Sequence, residues 1–317
     1  MKKKKAVLLF SSFAATLLFF TACAANDSTD STDQTKEATT STKTTMVDAL
    51  DHEVTIPANP QRIIASYLED YLVALDVTPV AQWTVGSGSV QSYLADDLED
   101  IPTINYDLPY EDVLSFEPDL LLMESNAAVE GGKYEEYNKI APTYVVKNGE
   151  DVTWQEKLND IAAALGKQEQ AKDVISDYDD LVAETKADYQ DQIQGKSAAV
   201  LWVTNNTAFM VADDRSSGDL LYNQLGFEVP NLTTEISESA TSDWSQVSLE
   251  KLAQLDADYL ILVNSDEGAA MFDDQVWQNI PAVKNDNLWE FGPDSSWLYN
   301  GPVAYTQMIE DIQEQLK

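Results

Sequence analysis

Cysteine and histidine are almost missing from this chain. In 317 residues there is one of each, Cys23 and His52. A single thiol cannot close an internal disulfide. A carrier of free transition-metal ions needs several imidazoles or thiolates around the ion, and two such side chains cannot supply them. Cations are scarce as well: 19 Lys and Arg stand against 55 Asp and Glu, for a net charge of -36. That surface repels nucleic acid and anionic lipid, so nucleic-acid binding is excluded. Catalytic signatures are also lacking. There is no G-x-S-x-G elbow and no H-E-x-x-H helix, and a Ser–His–Asp triad would have to use His52. His52 sits between Asp51 and Glu53, ahead of the first expected strand, and is assigned no role. Carboxylates are plentiful, so a surface-tethered hydrolase working through a carboxylate pair remains the alternative from another class. Uninterrupted apolar runs of membrane-spanning length are missing too. The run at residues 6–20 is too short to cross a bilayer comfortably.

What is present begins with compartment. Lys2, Lys3, Lys4 and Lys5 precede that apolar run, and the small residues Thr21 and Ala22 precede Cys23. The arrangement resembles a lipoprotein signal peptide, cleaved before Cys23 with a lipid carried on its thiol. An ordinary secretory signal is the alternative. Two acyl chains hold a protein stably on a membrane where one does not. Residues 24–45, rich in Ser, Thr and Asp, cannot bury enough apolar surface to fold and read as a tether. The expected organisation is therefore a signal peptide at 1–22, a tether at 23–45, and a folded body from about Met46.

With 44% hydrophobic residues the body can build a sizeable core. Short apolar runs at 63–65, 120–123, 198–203 and 259–263 alternate with helical patterns, which predicts an α/β fold with mainly parallel sheets. Residues 167–193 carry an apolar stripe at helical spacing, uninterrupted by Gly or Pro, predicting a helix of about 40 Å. Residues 111–122, EDVLSFEPDLLL, align without gaps on residues 250–261, EKLAQLDADYLI. Both read as an acidic helix start, an apolar face, an Asp turn and a buried strand. A duplicated lobe explains this, so the helix at 167–193 is expected to bridge two α/β lobes. The expected boundaries are 46–152 for the N-terminal lobe, 153–194 for the helical region and 195–317 for the C-terminal lobe with its final helix.

Four segments carry a family resemblance: residues 51–64 (DHEVTIPANPQRII), the two helix–turn–strand repeats, and residues 297–302 (WLYNGP) leading into the last helix. With them the chain resembles the siderophore- and cobalamin-binding proteins of ABC importers. The resemblance implies two α/β lobes joined by one long rigid helix, with the ligand held between them. It also implies a monomer, anchored by lipid on the extracellular face of the cell membrane in the Gram-positive manner, that carries no resident cofactor. Its partner would be a permease dimer with a cytoplasmic ATPase. Segment 213–222 (DDRSSGDLLY) is similar to the iron–siderophore branch, which implies capture of a ferric siderophore whose iron is held by the siderophore itself. Haem and cobalamin are the alternative ligands.

Parallel α/β sheets place ligands at the carboxyl ends of their strands. The candidate ligand residues are Tyr67, Trp83, Trp202, Arg215, Trp244, Trp297 and Tyr299, since an aromatic cleft suits a bulky, partly apolar iron chelate. Core packing is the alternative for each aromatic. The shortage of cations favours a near-neutral hydroxamate complex over a highly anionic catecholate one. The resemblance implies one permease-docking Glu per lobe, and Glu111 and Glu250 match by their equivalence in the repeats. A favourable place in a helix's first turn is the alternative.

Overall fold

The computed structural model describes residues 43–317 except Ser87. Cys23 and the signal segment lie outside the described residues. Strand β1 (Thr44–Val47) pairs antiparallel with β2 (Glu53–Ile56). The last residues assigned to the tether, Thr44 and Thr45, are therefore strand, because β2 offers them a backbone partner across the Asp51 turn. That turn is closed by Asp48, which accepts from the backbone of Leu50 and His52 (both 2.9 Å). His52 stacks on Tyr134 at 3.8 Å.

The N-terminal lobe is built on β3 (Ile63–Ser66), β6 (Leu120–Met123) and β7 (Thr143–Val145), all parallel in the order β3-β6-β7. A single bridge from Ile64 to Ala81 sets the short parallel pair β4 (Gln82–Trp83) and β5 (Thr103–Ile104) beside β3. β3, β6 and β7 are buried at every position, as expected of parallel strands covered on both faces.

The C-terminal lobe has one five-stranded sheet in the order β10-β9-β8-β11-β12. Here β8 (Ala198–Thr204), β11 (Tyr259–Asn264) and β12 (Leu288–Phe291) are parallel. The hairpin strand β9 (Thr207–Val211) and then β10 (Trp244–Val247) run antiparallel at the edge. The hairpin turn, Asn205 and Asn206, holds both residues at positive φ, which Asn tolerates.

The duplication read from the sequence is structural. Each copy starts with a helix, Tyr110–Ser115 or Leu249–Leu252, and continues into the strand that pairs parallel with the lobe's first strand, β6 on β3 and β11 on β8. Register is repeated too: Leu120 lies opposite Ile63, and its counterpart Tyr259 lies opposite Ala198. The Asp just before each strand makes the same clamp. Asp119 accepts from the backbone of Gln61 (2.8 Å) and Arg62 (2.9 Å), and Asp258 accepts from the backbone of Ser197 (2.9 Å).

Two consecutive helices connect the lobes. The first, Trp154–Leu165, opens with a Thr153/Glu156 capping box and closes on Gly166 at φ +69. The second, Gln168–Asp188, is the strut. It is shorter than expected, about 31 Å at 1.5 Å per residue. Tyr189 leaves helical geometry, and a separate turn, Gln190–Ile193, follows. Within the strut Ala171, Tyr178 and Thr185 are buried, the face the stripe indicated. One apolar cluster runs from Leu72 and Leu158 through Ala171 and Tyr178 to Leu220 and Ile309. Both lobes thus share a continuous core along the strut and the final helix, Pro302–Leu316. This is the two-lobed α/β architecture expected from the sequence.

Candidate functional site

Tyr67 follows β3 with its backbone at φ +54, so the chain turns sharply at the strand's carboxyl end and presents the ring there. The ring lies 5.0 Å from Trp83 and 6.3 Å from Tyr299. Tyr93, which the sequence reading passed over, packs on Tyr299 at 4.9 Å. Trp83 donates through Nε1 to the carbonyl of Tyr106 (2.9 Å), and its position in β4 places it beside the same strand ends. Burial, together with the nearby Tyr299, Asp243 and Glu69, pushes the Tyr67 hydroxyl well above its ordinary value, so it stays a neutral donor.

A second aromatic group belongs to the C-terminal lobe. Trp202, near the end of β8, lies 5.3 Å from Phe209 and 6.1 Å from Trp244, and its Nε1 donates to Ser265 Oγ (2.9 Å). Both Trp202 and Trp244 are half-buried. The two groups meet through the chain itself: Asn300, next to Tyr299, donates to Asp243 Oδ2 (3.0 Å), next to Trp244.

Trp297 is a correction. It is completely buried, stacks on Phe291 at 5.4 Å and donates through Nε1 to Asp311 of the final helix (2.9 Å). In the Trp-Leu-Tyr-Asn-Gly-Pro segment, Trp297 anchors the loop in the core and Tyr299 belongs to the aromatic group beside Tyr67. The two lie in one short turn, and spacing alone does not tell which points inward.

Arg215 is half-buried and reaches across to Glu150 of the N-terminal half (3.1 Å), with Asp214 at 3.7 Å. Gly218 fixes this loop by close approach: a Cβ there would lie 1.9 Å from the Ala212 carbonyl oxygen. Arg215 lines a cavity of about 630 Å³ between the halves, floored by Tyr178 and Val182 of the strut. Tyr71, Trp154, Asp243, Asn300 and Tyr305 also line it. Of the seven candidate ligand residues, Arg215 alone lines this cavity, and Asp243 and Asn300 join it to the aromatic groups. Six carboxylates surround it, Glu150, Asp151, Asp179, Asp214, Asp219 and Asp243, against two cations, Arg215 and Lys157. Burial pulls the Lys157 amine below its ordinary value, partly offset by Glu124.

Beneath the strand ends of the N-terminal lobe lie acids that the sequence reading did not single out. Glu124 accepts from Ser66 Oγ (2.6 Å) and Ser125 Oγ (2.9 Å). Glu69 is 1% exposed and accepts from the Trp83 backbone (2.6 Å) through one oxygen, while its Oε2 has no partner among the described residues. Burial pushes its carboxyl up to about 8, against the pull of its backbone hydrogen bonds. In a sequence with 55 acids nothing marks these two, because their distinction is burial. The whole arrangement offers flat aromatic surface, neutral hydroxyls and a surplus of negative charge, and so suits a bulky ligand that is not strongly anionic.

The family described as periplasmic binding protein matches residues 65–294. The chain belongs to the periplasmic binding protein family. A relative named probable siderophore-binding lipoprotein YfiY, from Bacillus subtilis, is 25% identical, covering 98% of each chain. The iron(3+)-hydroxamate-binding protein YxeB of the same organism is also 25% identical, covering 99% of this chain and 97% of its own. Among solved structures, Staphylococcus aureus SirA complexed with staphyloferrin B superposes with a TM-score of 0.68 at 26% identity, covering 86% of this chain and 98% of SirA.

In this binding protein Glu111 and Glu250 occupy matching exposed positions in the first turns of the duplicated helices. Ser248 caps the second helix by accepting from Lys251 N (3.3 Å). Neither glutamate has a side-chain hydrogen bond or ion pair among the described residues.

Proposed function

We propose that this binding protein captures a ferric siderophore of near-neutral or positive charge, of hydroxamate type, and delivers it to an ABC permease for iron uptake. The observation that carries the reading is the pairing of two aromatic groups at the strand ends with an acid-rich inter-lobe cavity. A tris-catecholate ferric complex carries several negative charges and meets only two cations there. The names of the relatives YfiY and YxeB support the same reading. Delivery would use Glu111 and Glu250, one per lobe. Their exposure and their lack of side-chain partners among the described residues support a docking role.

Anchoring would use Cys23. Membrane fractionation tests it: Cys23→Ser is expected in the soluble fraction, and a variant that stays wholly with the membrane refutes the anchor.

The ligand is tested by titrating tryptophan emission of the mature chain with ferric desferrioxamine B, a ferric tris-catecholate, haem and cobalamin. Saturable quenching at one-to-one stoichiometry is expected with the hydroxamate and not with the catecholate. Binding of haem or cobalamin alone, or turnover of the ligand, sinks the proposal.

A further inference from the structure

We propose that Asp70 is a positioning residue for the cleft, fixing Tyr299 and Asn300 from more than 200 residues earlier in the chain; the ligand arm of its test rests on the function proposed above. Asp70 lies in the helix Glu69–Ala74 behind β3 and is 1% exposed. Its Oδ1 accepts from Val303 N (3.0 Å), and its Oδ2 accepts from Ala304 N (2.8 Å) and from the Tyr93 hydroxyl (2.8 Å). Val303 and Ala304 open the final helix, whose first N–H groups have no partner within the helix. No neighbouring side chain caps that helix. A local Ser or Asp would satisfy those donors equally well for helix stability. A cap from so far away in the chain does something a local one cannot: it sets where the helix start sits relative to β3 and its strand end.

The loop just before the helix carries the consequence. Gly301 sits at φ +151, and a Cβ there would fall 2.3 Å from Asp70 Oδ1, so the backbone is pressed directly against the carboxylate. Asn300 and Tyr299 precede it in order. Tyr93, held by the same carboxylate, lays its ring on Tyr299 at 4.9 Å, and Gln307 of the final helix donates to the Tyr93 carbonyl (3.3 Å). Asn300 then holds Asp243. One buried carboxylate thus ties both ends of the turn that links the two aromatic groups. Asp70 does not itself line the cavity, so its effect on binding passes through the residues it holds.

The test uses the full mature chain carrying Asp70→Asn, which keeps the size and turns one acceptor into a donor. Hydrogen exchange without ligand is expected to quicken at least tenfold at the amides of Tyr299, Asn300, Val303 and Ala304, with β8 and β11 unchanged. Affinity for ferric desferrioxamine B is expected to fall about tenfold. Added to a Tyr299→Ala/Asn300→Ala background, Asp70→Asn should cost little more, because the residues it positions are gone. Unchanged exchange at those amides overturns the proposal. So does an unchanged affinity, or an equal loss in both backgrounds, which marks a general effect on the fold. If Asp70→Asn does not fold, Tyr93→Phe carries the same readouts, with about a threefold loss of affinity expected for one hydrogen bond. If the unaltered chain does not bind the probe, the functional reading fails by itself, and local or unchanged exchange still decides whether Asp70 positions the loop.

Discussion

The two lobes share a plan at the amino ends of the duplicated strands β6 and β11 and differ at the carboxyl ends. At the amino ends, Asp119 and Asp258 clamp the neighbouring strand in the same register. At the carboxyl ends, the N-terminal lobe offers Tyr67, Trp83 and the sunken acids Glu69 and Glu124. The C-terminal lobe offers Trp202 near the end of β8, and adds the antiparallel edge strands β9 and β10, which the other lobe lacks and around which Trp244, Asp243 and Arg215 lie. The difference teaches where duplication leaves freedom. The clamp end holds strand pairing, and any change there costs stability. The strand ends beside the proposed cleft tolerate new residues, because the backbone there is already leaving the sheet.

The largest expected effect tests the shared plan on the outside. Glu111→Arg with Glu250→Arg should abolish most siderophore uptake by cells while the purified variant binds ligand normally. Each single variant should fall between, because charge complementarity orients docking and each leaves one lobe engaged. Normal uptake by the double variant at normal surface levels breaks the symmetry argument. The next effect tests the differing ends: Trp83→Ala and Trp202→Ala should each weaken ligand binding about tenfold to a hundredfold. Trp297→Phe should leave affinity unchanged and lower thermal stability, through the lost Asp311 bond. Equal affinity losses for all three would mean that the aromatic groups act only through the core.

Smaller effects are expected at the clamps. Asp119→Ala and Asp258→Ala should each destabilise by about 1–2 kcal/mol in chemical denaturation, without changing affinity. A null result at one of them would show that the repeated geometry is no longer needed in that lobe.

The smallest concerns Glu69. Its carboxyl is raised from 4.5 to about 8, so the folded state holds an extra proton across that window, and its contribution to stability falls as pH rises through it. Glu69→Gln should match the parent near pH 4 and melt a few degrees higher at pH 8. Identical slopes for the two proteins would show that other acids carry the pH dependence.

The strands at 63–66, 120–123, 198–204 and 259–264, the strut and the duplication were all legible as patterns. Continuous apolar runs, helical stripes and a repeated Asp turn are local properties that the chain displays wherever it is read. Tyr67, Trp83, Trp202, Trp244 and Tyr299 were legible as aromatics in loops or at element ends, and their rings pack in two groups. Trp297 misled because a motif gives spacing, not direction: two residues along the same turn, one ring anchors the core while the other joins the aromatic group. Asp70, Glu69, Tyr93, Asp243 and Asn300 were not legible at all. Each draws its role from partners far away in the chain, such as the Asp70 carboxylate on the amides of Val303 and Ala304. Composition and periodicity thus determined the two-lobed α/β plan, and the surplus of acid over base. Which acids are buried, which rings pack together, and how Asp70 holds the loop before the final helix were decided by tertiary packing, because burial and long-range hydrogen bonds exist only once the chain has closed on itself.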